Sequence, residues 1–146
     1  MDISIRHIGS DDRDKWFEMR KGIWPEVPDE YLHFDMDDIL ASENNEVFFA
    51  FLGGELAGMI EVRIRDYGEG CETSPVGYIE AWFVYPEMRG KGVARALTQV
   101  AEDWARGKSC AEMASDTWLD NEASIRAHLK LGYFEVERLV HFVKRL

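Results

Sequence analysis

Basic residues are scarce in this chain. Seventeen Lys and Arg stand against 28 Asp and Glu, a formal net charge of -11 over 146 residues. Such a surface repels a phosphate backbone, so nucleic acid is not an expected partner. It is compatible with a small polycationic ligand, but on net charge alone a surface that is acidic only for solubility is the better reading. Cysteine is rarer still. Cys71 and Cys110 lie far apart and make neither a disulfide pattern nor a metal-ligand spacing, so no metal is expected. No long apolar run and no signal sequence stand at the N-terminus, which implies a soluble, cytoplasmic protein with no membrane partner. Internal repeats, linkers and low-complexity segments are also absent. What is present excludes disorder: 46% of residues are apolar. A single domain over residues 1–146 is expected, large enough for a real core.

The chain is organised around Tyr78 to Arg106. Tyr78 to Val84 is aromatic and β-branched, which predicts a strand. Pro86 ends it, because proline lacks the N–H that a ladder needs. Gly90 and Gly92 make a tight basic turn. Val93, Leu97, Val100, Ala101 and Trp104 then recur at helical spacing. Strand, glycine turn and helix start gather backbone N–H groups around one point with a helix dipole behind it, and such a point binds phosphate. A Walker loop is excluded, because Gly90-Lys91 is followed by Gly92 and Val93 and not by the Ser or Thr that is needed. A dinucleotide fingerprint is disfavoured by Arg95 at the third glycine position, and too little chain follows. Arg89, Gly92 and Ala94 fit the pattern Arg/Gln-x-x-Gly-x-Gly/Ala. This resembles the acyl-CoA pyrophosphate loop of the GCN5-related N-acetyltransferases. On the six residues alone, a plain strand–turn–helix joint remains open.

In chain order, Ile3, Ile5 and Ile8 begin a strand. Ser10 and Asp11 can cap a helix from Asp12 to Ile23. Trp24-Pro25 closes it. A second helical segment starts at Pro28 to Glu30. Glu46 to Leu52 and Glu55 to Arg65 read as strands joined by a Gly53-Gly54 hairpin. A turn-rich loop covers Asp66 to Gly77. After the central helix, stopped by Gly107, come a strand over Cys110 to Ser115 and a helix from Asp120 to Leu131, closed by Gly132. Two last strands are expected near Phe134 to Arg138 and Val140 to Lys144. The fold class is α/β (α+β), with a central, mixed and mostly antiparallel sheet flanked by helices.

A second motif follows the core: Asn121-x-x-Ser124-x-x-x-His128, then Leu131-Gly132-Tyr133. It resembles the same family's Asn-x-x-Ala-x-x-x-Tyr and Leu-Gly-Phe, with His128 where tyrosine is usual. The resemblance covers nearly the whole chain. Trp24-Pro25, Ile64 to Tyr67, Thr73 to Val76, the strand around Glu80, Ala114 to Thr117, Asp120-Asn121 and Glu135 to Arg138 narrow it. They look like the aminoglycoside 6'-N-acetyltransferases, homodimeric antibiotic-resistance enzymes that use acetyl-CoA. The resemblance implies aminoglycoside contacts at Trp24, Tyr67, Glu80, Asp116 and Glu137. It implies cofactor contacts at Trp82, Phe83, Val84, Gly90, Lys91, Gly92, Val93, Ala94, Arg95 and Asn121.

These residue types suit the chemistry. Carboxylates offer charge-assisted hydrogen bonds to ammonium groups, and Trp24 and Tyr67 offer rings to sugars or cations. Taken singly, an acidic residue is better read as a surface charge, and Trp24 and Tyr67 fit core packing equally well. Glu80 differs, because it sits inside an apolar strand and needs a partner there. Simple alternation puts it on one face with Tyr78, Trp82 and Val84. Glu80 is the candidate base for the amine, and His128 the candidate proton donor to the departing thiolate. Backbone N–H groups at Trp82 to Val84 are the candidate oxyanion donors. His7, His33 and His141 have no such constellation. The alternatives are an acetyltransferase of another amine, such as a polyamine or a protein N-terminus, and a non-enzymatic acyl-CoA sensor.

Overall fold

The structure is a computed structural model that describes residues 2–146. Four strands form an antiparallel meander: β1 (Ile3–His7), β2 (Asn45–Leu52), β3 (Glu55–Arg65) and β4 (Val76–Val84). A fifth, β5 (Met113–Ser115), pairs with β4 in parallel. Gly53 and Gly54 both take positive φ, 58° and 85°, which is what a two-residue hairpin between twisted strands requires.

Helices cover both faces of the sheet. α1 (Arg13–Ile23) and α2 (Asp29–Leu40) pack Trp16, Met19 and Met36 onto Val47, Phe49, Met59 and Ala81. On the other face, α3 (Val93–Gly107) sets Val93, Leu97 and Ala101 against Phe48, Ile60, Val62 and Ile79. α4 (Glu122–Lys130) follows β5. An ion pair, Arg20 and Glu61, is buried between α1 and the sheet. Glu61 is 2% exposed and accepts from Trp16 Nε1 at 2.8 Å and from Arg20 Nε at 2.8 Å. Arg20 also donates to the Leu32 carbonyl and to Asp35, so its buried guanidinium is well satisfied. No helix among the described residues is long and apolar enough to cross a membrane.

The expected elements form as far as Tyr133, with adjusted ends. A 3-10 turn (Ser10–Asp12) precedes α1, and Asp12, not Ser10 or Asp11, holds the Gly9 N–H at 2.6 Å. β5 starts at Met113 instead of Cys110.

The two final strands do not form. Tyr133 is the last residue with a backbone bond, to the His128 carbonyl, and it still packs in the core. Beyond it residues 134–146 form no helix or turn and have no ladder partners, and Phe142 is 91% exposed. Alternating apolar residues there read as strand, but a strand exists only through a neighbour's backbone groups, and this segment lies along no edge of its own sheet.

Candidate active site

The site begins with an irregularity in β4. Glu61 pairs with Ala81 and Val62 with Ile79, so Glu80 is an extra residue, a β-bulge. The bulge breaks the alternation expected from sequence. Trp82 and Val84 face the α3 side with Ile79. Glu80 turns instead to the α1–α2 side, where it lines a cavity of about 190 Å³ with Arg20, Trp24, Asp35, Glu46 and Arg63. Glu80 therefore does not share a face with Trp82 and Val84.

A second irregularity lies along the other edge of β4. Its pairing with β5 ends at Ile79 opposite Ser115, while β4 runs on to Val84. The two strands part like a fork. Backbone groups of β4 past the vertex have no β5 neighbour, which leaves them free for an extended ligand. Trp82 Nε1 is buried beside the fork and has no hydrogen-bond partner. An orphaned buried donor of this kind carries a desolvation cost that a ligand acceptor removes.

At the far end of β4 is the glycine turn. Gly90 and Gly92 take positive φ, 76° and 89°. A Cβ on Gly90 would meet nothing within 4 Å, and one on Gly92 only Ile3 at 3.7 Å. The space in front of both is thus open to a ligand. The first intrahelical bond of α3 runs from Ala96 N to Gly92 O, so Val93, Ala94 and Arg95 present N–H groups without helical acceptors. Arg89 does not point at that space; its Nε donates to the Val84 carbonyl and ties the turn to β4. Lys91 and Arg95 are exposed beside it.

Beside the cavity, Glu80 accepts from Arg65 through both oxygens, and Arg63 Nε lies 3.8 Å away. The Arg65 guanidinium sits 3.6 Å over the Tyr78 ring, and Tyr78 donates to Asp116 at 2.5 Å. Burial first, and then this bond, push the Tyr78 hydroxyl well above the usual tyrosine range. Glu80 and Asp116 are thereby linked through Arg65 and Tyr78, and Trp24 shares the cavity with Glu80. Tyr67, 65% exposed, and Glu137, also exposed, are not drawn into this cluster.

α4 carries the second motif. Asn121 Oδ1 caps the helix by accepting from Ser124 N at 3.1 Å. Its expected cofactor contact can come only from the remaining carboxamide NH2 group and lone pair. His128 lies against Trp82, ring centroids 5.1 Å apart and nearly perpendicular.

Residues 13–133 match the model of the acetyltransferase (GNAT) family. The chain belongs to the GNAT acetyltransferase family. Among its relatives, aminoglycoside N(6')-acetyltransferase type 1 of Salmonella typhimurium is 38% identical, covering 98% of this chain and 99% of that one. The enzyme of the same name from Acinetobacter baumannii is 36% identical, covering 99% of each. Among solved structures, AAC(6')-Iy in complex with the bisubstrate analogue CoA-S-monomethyl-acetylneamine superposes with a TM-score of 0.92 at 35% identity, covering 100% of both chains. AAC(6')-Ih of Acinetobacter baumannii gives 0.89 at 35% identity over 99% of each.

Within this GNAT site, sequence reasoning missed Arg65, Tyr78 and Ser115. Arg65 lies in the Ile64 to Tyr67 stretch of the resemblance, but nothing local marks it as the partner of Glu80. Ser115 lies 2.8 Å from His128 Nε2, a pairing made by the fold and not by spacing. His33 also proves to have partners: it stacks on Phe17 and bonds Arg13, which makes it part of the α1–α2 packing.

Proposed function

We propose that this protein transfers the acetyl group of acetyl-CoA to the 6'-amine of aminoglycosides, by direct attack in a ternary complex, and so confers resistance. The observation that carries this reading is near full-length similarity to enzymes of that activity, on a site with a fork-and-loop face for the cosubstrate and an acidic cavity for a cationic acceptor. The fork and the α3 N-terminus fit acetyl-CoA: Val93, Ala94 and Arg95 N–H groups take the pyrophosphate, and the β4 edge from Trp82 to Val84 takes the pantetheine. The thioester arrives activated, so the protein supplies alignment and charge stabilisation.

Glu80 and Asp116 attract the polyammonium acceptor, with Trp24 as the apolar wall. Arg65 occupies one lone pair on each Glu80 oxygen. The others remain for the acceptor nitrogen or a water that removes its proton. Tyr67 and Glu137, which stand outside this cluster, are proposed to meet only the parts of the acceptor that extend beyond the cavity. The test is thiol release from acetyl-CoA with aminoglycosides, polyamines and peptides. Turnover of 6'-amino drugs, with none for a matched 6'-hydroxyl drug, is expected. Equal turnover of the two, or preference for polyamines or peptides, overturns the assignment.

The protein is further proposed to act in the cytoplasm, where acetyl-CoA is at hand, as a homodimer. Exposed apolar residues in the C-terminal arm, Val140, Phe142 and Val143 among them, support self-association. So does charge. Residues 134–146 carry Arg138, Lys144 and Arg145 against Glu135 and Glu137, hence +1, which leaves -11 - 1 = -12 for the rest of the chain. The basic end of the arm, Lys144 and Arg145, and an acidic body are complementary between copies.

A further inference from the structure

Both ring nitrogens of His128 are engaged. Nδ1 lies 2.7 Å from the Ser124 carbonyl oxygen, one turn back on α4. A carbonyl only accepts, so Nδ1 carries a proton. Nε2 faces Ser115 Oγ at 2.8 Å. The ring is held edge-on by Trp82 and by Tyr133, at 5.1 and 5.8 Å between centroids. Tyr133 is itself anchored through its hydroxyl to Glu102 at 2.7 Å. An imidazole gripped in this way keeps no nitrogen free for a sulfur atom. The nearby tyrosines are also committed: Tyr133 donates to Glu102 and Tyr78 to Asp116.

Ser115 is the last β5 residue to pair with β4, so it stands at the vertex of the fork. Its hydroxyl carries the exchangeable proton at the junction of fork and imidazole. We infer that Ser115 is a catalytic residue, the group that hands a proton to the departing thiolate, with His128 as the proton reservoir behind it. This rests on the proposed acetyl transfer with the thioester in the fork.

The step balances. The C–S bond breaks and its electron pair stays on sulfur. The Ser115 hydroxyl proton goes to sulfur, and the Nε2 proton of the His128 imidazolium goes to Ser115 Oγ. Ser115 is restored, and His128 is left neutral with Nδ1–H still on the Ser124 carbonyl. The proton that the acceptor amine loses recharges the imidazole through water. A hydroxyl between imidazole and sulfur also explains how histidine serves where the family pattern has tyrosine: Ser115 supplies the reach that the shorter ring lacks.

The experiment combines steady-state kinetics with a proton inventory in mixed light and heavy water. Wild type, Ser115→Ala, Ser115→Thr, His128→Phe and the double variant Ser115→Ala/His128→Phe are compared, each checked for folding by thermal melting. Ser115→Ala is expected to lower kcat about 100-fold, within the range of a lost general acid, with KM for acetyl-CoA within about twofold. Ser115→Thr, which keeps the hydroxyl, should recover most of that loss. The double variant should be no slower than the slower single variant, because the two residues act as a unit. The wild-type inventory should curve as two protons in flight require, and become linear in Ser115→Ala. That curvature needs no variant, so it tests the relay even if one misfolds. A linear wild-type inventory, wild-type kcat in Ser115→Ala, or a loss confined to His128→Phe overturns the relay while leaving acetyl transfer intact. A wild type that releases no thiol with any amine overturns the acetyl-transfer reading and the relay together.

Discussion

Arg65, opposite Val76 in the ladder, reaches along the strands to Glu80 in a two-pronged ion pair, with Arg65 Nε and one terminal nitrogen each 2.8 Å from a carboxylate oxygen. The pair is half-buried, and Glu80 lines the cavity proposed to take the acceptor. It fixes the direction in which the Glu80 lone pairs left free can point, which is what an incoming amine needs.

Glu80→Gln retains the shape but removes the charge that meets the acceptor. A direct charge-assisted contact contributes roughly 1.5–3 kcal/mol, so kcat/KM for the aminoglycoside should fall about tenfold or more. KM for acetyl-CoA should stay within about twofold. Arg65→Lys should lose part of the same efficiency, because an ammonium cannot make the forked contact. Steady-state kinetics with both substrates varied separates the effects, and equal changes in the two KM values would count against an acceptor role.

Gly92→Asp places a side chain at φ 89°, a conformation that non-glycine residues rarely adopt, and a negative charge where the pyrophosphate approaches. Acetyl-CoA binding measured by calorimetry should be lost while the circular dichroism spectrum is retained. Wild-type affinity in this variant would remove the loop from the site.

How much of this was legible beforehand depends on the range of each interaction. The glycine turn and α3 were read correctly because Arg89, Gly92, Ala94 and the apolar spacing of Val93, Leu97 and Ala101 are local. The facing of Glu80 was misread, because alternation assumes a regular strand and the bulge inserts one residue. Arg65 and Ser115 were invisible as partners, since cross-strand and strand–helix contacts leave no spacing in the sequence. The arm after Tyr133 was read as strand because its apolar alternation is genuine. The pattern does not say whose edge it would pair with.

Glu61 tests the core beneath the site. It is the partner that makes the buried Arg20 tolerable, and it also takes the Trp16 N–H. Glu61→Leu leaves a buried guanidinium and an indole donor without that acceptor. Loss of one partner of such a pair costs about 3–5 kcal/mol. Chemical denaturation should show a midpoint lowered accordingly, and a change under about 1 kcal/mol would mean that Arg20 finds sufficient compensation in Asp35 and the Leu32 carbonyl.

The arm has its own test. Phe142→Asp or Val140→Asp should shift the protein from dimer to monomer in sedimentation velocity, because charge is placed on the apolar surface proposed to be shared. Thermal stability at low protein concentration should change little, since neither residue packs on its own body. A wild type that sediments as a monomer at all concentrations would end the dimer proposal.

The last expectation concerns alkaline pH. Tyr78, Tyr85 and Tyr133 donate to Asp116, Glu18 and Glu102 respectively. Burial first, and the carboxylate partner second, push all three hydroxyls above the ordinary tyrosine value of 10.0. The sign follows from proton binding. Between the unfolded and the raised folded values the unfolded chain has lost these protons and the folded chain keeps them, so stability falls as pH rises. It is fully present below about pH 10 and declines above it. Each such proton steepens the fall by at most about 1.4 kcal/mol per pH unit. Tyr78 is the best probe, being 4% exposed. Tyr78→Phe should lower stability at neutral pH by about 1 kcal/mol, the worth of one hydrogen bond. It should also make the decline above pH 10 shallower, so that the two stability curves converge. Melting temperatures of wild type and Tyr78→Phe from pH 8 to 12 measure this directly, and parallel curves would show that the Tyr78 hydroxyl does not hold its proton more tightly in the folded state.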